Sequence, residues 1–259
     1  MLLRRVSSLL RLVVGFLLVS VCSILTLFAA VALLPWRTLR VKLCNYYGKV
    51  VGPAILWLAG ATPVVHNRER ITEHGPAIFV SNHASTLDTF VAIWLCPVGG
   101  CGIAKKEVLR IPFFGWLYFL SGHLTVDRTD RAAAISAMGR TAEFVRKNGL
   151  SIWIWPEGTR SQDGRLLPLK KGVFHLALAT RLPIIPIVVH RAHENWKKHS
   201  FTFVPIDLPI YVLPPIPTEH WKAETLPEHI AQVHEAMAAG LPDSQKPHPV
   251  RTDQDANPE

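Results

Sequence analysis

Two short stretches carry residue types able to move a proton and hold an anion. In Asn82-His83-Ala84-Ser85-Thr86-Leu87-Asp88, a histidine and an aspartate lie five residues apart just after an apolar run. Imidazole suits general-base work near neutral pH, and a carboxylate on one ring nitrogen fixes the tautomer and leaves the other nitrogen as base. On a continuous helix, positions five apart are about 140° out of phase and would not meet. If His83 sits in a loop and the helix starts near Ser85, the turn brings the imidazole back to Asp88. The same residues also match a capping box, Ser85-Thr86-Leu87-Asp88, in which the aspartate only caps. Both readings stand at this point. In Trp155-Pro156-Glu157-Gly158-Thr159-Arg160-Ser161, Gly158 permits a tight turn while Thr159 and Arg160 supply donors beside Glu157. The planar guanidinium fork fits a pair of phosphate oxygens, although a loop ion pair between Glu157 and Arg160 accounts for them equally well. Lys105, Lys106, Arg128, Lys170 and Lys171 add positive charge, and each also suits a solvated basic face.

Residues so dispersed need a scaffold that gathers them. Short apolar runs at 77–80, 101–104, 123–126, 151–155 and 184–189 read as strands, and helical patterns lie between them at 86–95, 106–120, 131–148 and 172–180. This alternation predicts an α/β fold with a largely parallel sheet covered by helices. Four of the five runs are followed at once by the polar residues above: Asn82-His83, Lys105-Lys106, Asp127-Arg128 and Glu157–Arg160. In an open parallel sheet the carboxyl ends lie along one edge, where ligands bind, so four scattered motifs become one expected site. Pro183 and Pro186 suggest an edge strand or a strand entry for the last run. After residue 200 the prolines predict an extended segment or short strands, then a helix near 227–239. Residues 243–259 lack a core-forming pattern and read as a disordered tail.

The 259 residues are 49% apolar, 18% charged and carry a formal +9, which favours an anionic partner such as a phospholipid surface or a phosphorylated substrate. Nucleic acid is not expected, because no basic run is interleaved with aromatics. Cys22, Cys44, Cys96 and Cys101 form no C-x-x-C pair, which suits a reduced compartment. His190, His193 and His199 lack acidic or cysteine partners at ligand spacing, so no metal is expected. Residues 12–34 are uncharged and long enough to cross a bilayer, with Arg4, Arg5 and Arg11 before and Arg37, Arg40 and Lys42 after. A cleaved signal peptide competes, but the run exceeds a usual signal core and continues into a basic flank, favouring a retained anchor. The similar flanks do not set its orientation. The stretch 50–61 is short for a span and suits an interfacial or re-entrant helix. Residues 1–62 are thus expected to be a membrane-attachment module, 63–242 the catalytic domain and 243–259 the tail.

Together the motifs resemble the glycerolipid acyltransferase family typified by 1-acyl-sn-glycerol-3-phosphate acyltransferases. Its N-H-x-x-x-x-D block is Asn82–Asp88, its apolar run ending in D-R is Gly122–Arg128, its P-E-G-T-R-S is Pro156–Ser161, and its apolar block around V/I-P-I/V is Leu182–Val188. The resemblance covers residues 63–190. It departs only at His123 and Leu124, where bulkier apolar residues are frequent. It implies transfer of a fatty acyl group from a thioester of coenzyme A or acyl carrier protein to the sn-2 hydroxyl of lysophosphatidate, with no other cofactor. His83 would be the base and Asp88 its orienting partner. Asn82, Lys105, Arg128, Glu157, Gly158, Thr159 and Arg160 would bind substrate, and 111–120 would line an acyl groove or form a core or membrane-docking helix. The expected location is the inner or plasma membrane, with the catalytic domain on the cytoplasmic side. Another acceptor (glycerol-3-phosphate or a lyso-aminolipid), a thioesterase and a non-catalytic adaptor are the alternatives. The absence of a G-x-S-x-G elbow weighs against a hydrolase.

Overall fold

The computed structural model of the chain describes residues 2–126, 131–196 and 200–249, without the side chains at 2–4, 105, 126 and 131–135. All five expected strands form: β2 (Ile78–Ser81), β3 (Gly100–Lys105), β4 (Leu124–Val126), β5 (Ser151–Ile154) and β6 (Ile184–Val189). Two more join them, β1 (Ala61–His66) and β7 (Ile206–Val212), in a 7-stranded sheet of order β1-β7-β6-β2-β5-β3-β4. Every neighbouring pair is parallel except β6 with β7. The carboxyl ends of β2 through β6 therefore share one edge, as the sequence implied.

Side-chain alternation sends each strand's apolar residues to both faces. Ile78, Val80, Ile152 and Ile154 pack with α5 (Arg131–Asn148), α6 (Gly172–Thr180) and α8 (Leu226–Ala239). Phe79, Trp153, Ile185 and Ile187 face the opposite layer, which holds α3 (Leu87–Leu95) and the end of α2 (Arg37–Leu58). A short α7 (Ala192–Asn195) follows β6.

Four expectations change. First, β6 lies inside the sheet, not at its edge. Pro186 is tolerated because the ladder to β7 ends beside it: Leu213 donates to the Pro186 carbonyl at 2.9 Å, and β7 has already stopped at Val212. Second, the helix expected over 106–120 is broken at Pro112 into a 3-10 turn, Lys106–Arg110, and α4 (Phe114–Leu120). Third, residues 37–58 form one continuous helix, α2, rather than a short interfacial or re-entrant helix confined to 50–61. It crosses α3 closely: a Cβ on Gly48 would sit 2.2 Å from the Ile93 carbonyl oxygen, and one on Gly52 2.6 Å from Trp94 Cβ. Asn45 fastens α2 further, donating to Gly100 O at 2.9 Å and accepting from Gly99 N at 2.8 Å. So α2 belongs to the body that carries the site, where the sequence suggested an attachment module. Fourth, residues 243–249 are ordered against the domain, with Gln245 fully buried, whereas a structureless tail was expected from 243. Residues 250–259 lie outside the described residues.

The N-terminal helix α1 (Leu2–Ala32) contains a stretch, Arg5–Ala32, long and apolar enough to cross a membrane. It is consistent with membrane association. Its inward side carries small residues along its length: Ser8 accepts from Phe203 N at 3.2 Å, Gly15 faces Ile55, Ser23 meets Tyr47 at 3.1 Å, and Ala30 is fully buried. The outward side exposes Leu10, Phe16, Leu17, Leu25 and Phe28.

Candidate active site

The loop after β2 places Asp88 against both the His83 ring and the first backbone N–H groups of the turn. Its Oδ2 accepts the Ala84 N–H at 2.6 Å and the Ser85 N–H at 2.7 Å, the reciprocal bond of a capping box, and lies 3.1 Å from His83 Nδ1. Three donors on one oxygen of a buried carboxylate fix its position. With Nδ1–H held by Asp88, His83 presents Nε2 as an acceptor. The imidazole stacks on Trp155 with ring centroids 4.4 Å apart, so it cannot swing without leaving the indole. The main chain of His83 is held on both sides as well. Its N–H donates to Glu157 Oε1 at 2.6 Å, and its carbonyl accepts the Ser161 N–H at 2.8 Å.

Two residues expected to contact substrate are instead committed to the scaffold. Asn82 is buried and exchanges both amide bonds with Val189, donating at 2.9 Å and accepting at 2.8 Å, which staples the end of β2 to the end of β6. Glu157 is buried with both oxygens taken, Oε1 by His83 and Oε2 by the Leu167 N–H at 2.9 Å. So enclosed, with both oxygens taken, the carboxyl cannot reach a phosphate. It buckles the loop after β5 to the His83 segment.

Burial pushes the Glu157 carboxyl up from 4.5 to about 8, partly offset by the two backbone N–H bonds and reinforced by the nearby Asp88 charge. The carboxyl thus keeps its proton to higher pH in the fold than in the unfolded chain. Its contribution to stability is full below pH 4.5 and is lost as pH rises towards about 8. We expect the Tm difference between wild type and Glu157→Gln to change across this window, with the variant showing the flatter dependence. Parallel Tm-against-pH curves would remove this assignment.

Gly158, Thr159 and Arg160 do reach the site. Gly158 has φ +76°, the left-handed turn that glycine allows, and Thr159 and Arg160 are exposed. Arg160 Nη1 donates to Thr86 Oγ1 at 2.8 Å, which links the two motif loops across the site mouth. No ion pair joins Arg160 to Glu157 among the described residues; the carboxylate faces inward instead. The backbone of Lys105 ends β3 on the same edge. Arg128 and His199 lie outside the described residues.

His83, Trp155, Gly158, Thr159 and Arg160 open onto a cavity of about 760 Å³. Its interior is apolar, with Ile93, Ile103, Phe114 and Leu117 on its walls. The sequence reading of 111–120 as a groove lining is met by Ile111, Phe114, Leu117 and Tyr118. Cys44 and Cys96 also line it, and burial pushes both thiols up to about 12. The sequence did not mark Trp155, Gln162 or these cysteines as cavity residues. Only Trp155 left a signal, by standing between the β5 run and Pro156.

The geometry combines an oriented imidazole, an exposed guanidinium and a chain-sized apolar cavity, which suits proton removal from a hydroxyl beside a long apolar substrate. Comparison with known proteins agrees. Residues 62–190 match the family model described as Acyltransferase. The 1-acyl-sn-glycerol-3-phosphate acyltransferase of Limnanthes douglasii is 40% identical over 234 residues, covering 88% of this chain and 83% of that protein. That of Cocos nucifera is 40% identical over 240 residues, covering 93% and 77%. The fold matches the crystal structure of the 1-acyl-sn-glycerophosphate acyltransferase of Thermotoga maritima with a TM-score of 0.77 at 24% identity, over 92% of this chain and 95% of that one. The chain belongs to the 1-acyl-sn-glycerol-3-phosphate acyltransferase family.

Proposed function

We propose that the protein moves a fatty acyl group from acyl-CoA or acyl carrier protein to the sn-2 hydroxyl of lysophosphatidate, giving phosphatidate. The observation that carries this reading is the His83–Asp88 pair, 3.1 Å apart, at the mouth of the apolar cavity and beside Arg160. His83 Nε2 takes the acceptor's hydroxyl proton as its oxygen attacks the thioester carbonyl, and Asp88 stabilises the imidazolium. Collapse of the tetrahedral intermediate breaks the carbon–sulfur bond, and the imidazolium returns its proton to the departing thiolate. A base so placed typically contributes about 10²- to 10⁴-fold. Thr159 and Arg160 hold the acceptor phosphate, and Lys105 and Arg128 add positive charge from the neighbouring strand ends. The acyl chain occupies the cavity, whose volume of about 760 Å³ is ample for a flexible chain.

A lipid acceptor explains the membrane-seeking surface. Because α1 touches the body from Ser8 to Ala30, we read it as lying in one leaflet along the domain, its exposed leucines and phenylalanines in the acyl layer. The cytoplasmic side of an inner or plasma membrane suits the four unpaired thiols.

The test follows a labelled acyl-thioester with purified protein, with and without lysophosphatidate, against glycerol-3-phosphate and other lyso-acceptors. Diacyl product that appears only with lysophosphatidate supports the reading, and free fatty acid independent of acceptor would point to a thioesterase. In the same assay Arg160→Ala is expected to raise the acceptor KM about tenfold or more, as loss of a charged hydrogen bond does, while leaving the donor KM in place. A fall in kcat alone would remove Arg160 from acceptor binding.

A further inference from the structure

The loop that follows β5 is irregular from Trp155 to Lys170, yet it must hold Thr159 and Arg160 in register with His83. Irregular backbone keeps such a position only through discrete bonds to rigid neighbours. We propose that Gln245 is a positioning residue, which locks this loop and the loop after β6 together and so sets the acceptor-binding geometry.

Gln245 sits in a 3-10 turn, Asp243–Gln245, and is fully buried. Its side-chain Oε1 accepts the Arg191 N–H at 2.8 Å, and its Nε2 donates to Gly164 O at 3.3 Å. Its main-chain carbonyl accepts the Leu166 N–H at 2.9 Å. Arg165 reinforces the same crossing by donating to Lys246 O at 2.9 Å, and His248 meets Asp163 at 2.7 Å on the surface. One residue beyond Leu166, the Leu167 N–H bonds Glu157, which bonds the His83 N–H. Two residues before Arg191 is Val189, which Asn82 staples to the strand end that bears His83. A single buried amide thus joins the two supports of the His83 segment. No residue from 243 to 248 lines the cavity, so any effect on substrate must pass through these bonds.

The inference rests on the proposed acyl transfer, and the test separates the two. In full-length protein, Gln245→Met keeps the side-chain volume and removes both amide bonds, and Gln245→Ala also opens a void. Well below its Tm, the Met variant is expected to raise the KM for lysophosphatidate about tenfold, the effect of a lost buried hydrogen bond, with the acyl-donor KM unchanged. Hydrogen exchange at Ser161 and Leu167 should accelerate with it. A Met variant with lowered Tm but wild-type kinetics would make Gln245 merely structural and overturn the proposal. Should neither variant fold, exchange in the wild type decides. Ser161 and Leu167 should open together with Leu166 and Arg191, and continued protection after the Leu166 and Arg191 amides have exchanged would also overturn it. Absence of any transfer to lysophosphatidate by wild type would instead overturn the function, and the exchange pattern would still report on Gln245.

Discussion

His83→Ala is expected to lower acyl transfer by about 10²- to 10⁴-fold while the protein still folds and still partitions with membranes. The loss follows from geometry: Asp88 holds Nδ1 at 3.1 Å, and the other imidazole on the cavity wall among the described residues, His123, is committed to the Gly102 N–H at 3.2 Å. The fold survives because the bonds that position this segment belong to the main chain. Glu157 takes the residue 83 N–H, and the residue 83 carbonyl takes the Ser161 N–H, whatever side chain is present. Asp88 also keeps its Ala84 and Ser85 donors. The check is initial rate on lysophosphatidate, with thermal unfolding and membrane fractionation run in parallel. Substantial remaining activity in a folded variant would take the base role away from His83.

A chain lacking residues 1–60 is expected not to fold, rather than to be released as a soluble enzyme. Deletion removes α2, whose Val41, Val51, Ile55 and Leu56 are buried in the fold. Each such side chain contributes roughly 1.5–3 kcal/mol by burial. Four of them rival the whole net stability of a domain, about 5–15 kcal/mol. Loss of Asn45 also leaves Gly99 N–H and Gly100 C=O without their side-chain partner. Circular dichroism melts and solubility after expression decide the matter: a soluble chain that starts at residue 61 and melts cooperatively would refute it. Removal of residues 2–34 alone should preserve the melt in detergent and weaken membrane binding.

The chemistry was legible where sequence pattern maps directly onto geometry. Short apolar runs separated by helices imply a parallel sheet, and a parallel sheet puts its carboxyl ends on one edge, so His83, Glu157 and Arg160 could be brought together on paper. The pair His83 and Asp88 was legible for the same reason, since a loop followed by a helix start folds the five-residue spacing back on itself. What the motif could not reveal was the direction in which each polar side chain points. Asn82 and Glu157 stand next to cavity-lining residues in sequence, but their partners, Val189 and Leu167, come from other segments. Helix α2 was obscured by its Gly48, Gly52 and Pro53, which depress helix propensity, whereas the two glycines let it approach α3. Gln245 was hidden by composition, because a proline-rich polar terminus averages to disorder even when one residue in it has three fixed partners, two on its side-chain amide and one on its main-chain carbonyl.

If the donor is the proposed thioester, it would meet two thiols on the walls of the apolar cavity. A thiolate there would exchange with the incoming donor and strand the fatty acid on the protein. Cys44 and Cys96 escape this fate because burial pushes them up to about 12, so the reactive anion is almost absent at neutral pH. The apolar walls proposed to receive the chain would therefore also guard the enzyme against self-acylation, and leave the acceptor hydroxyl as the favoured nucleophile.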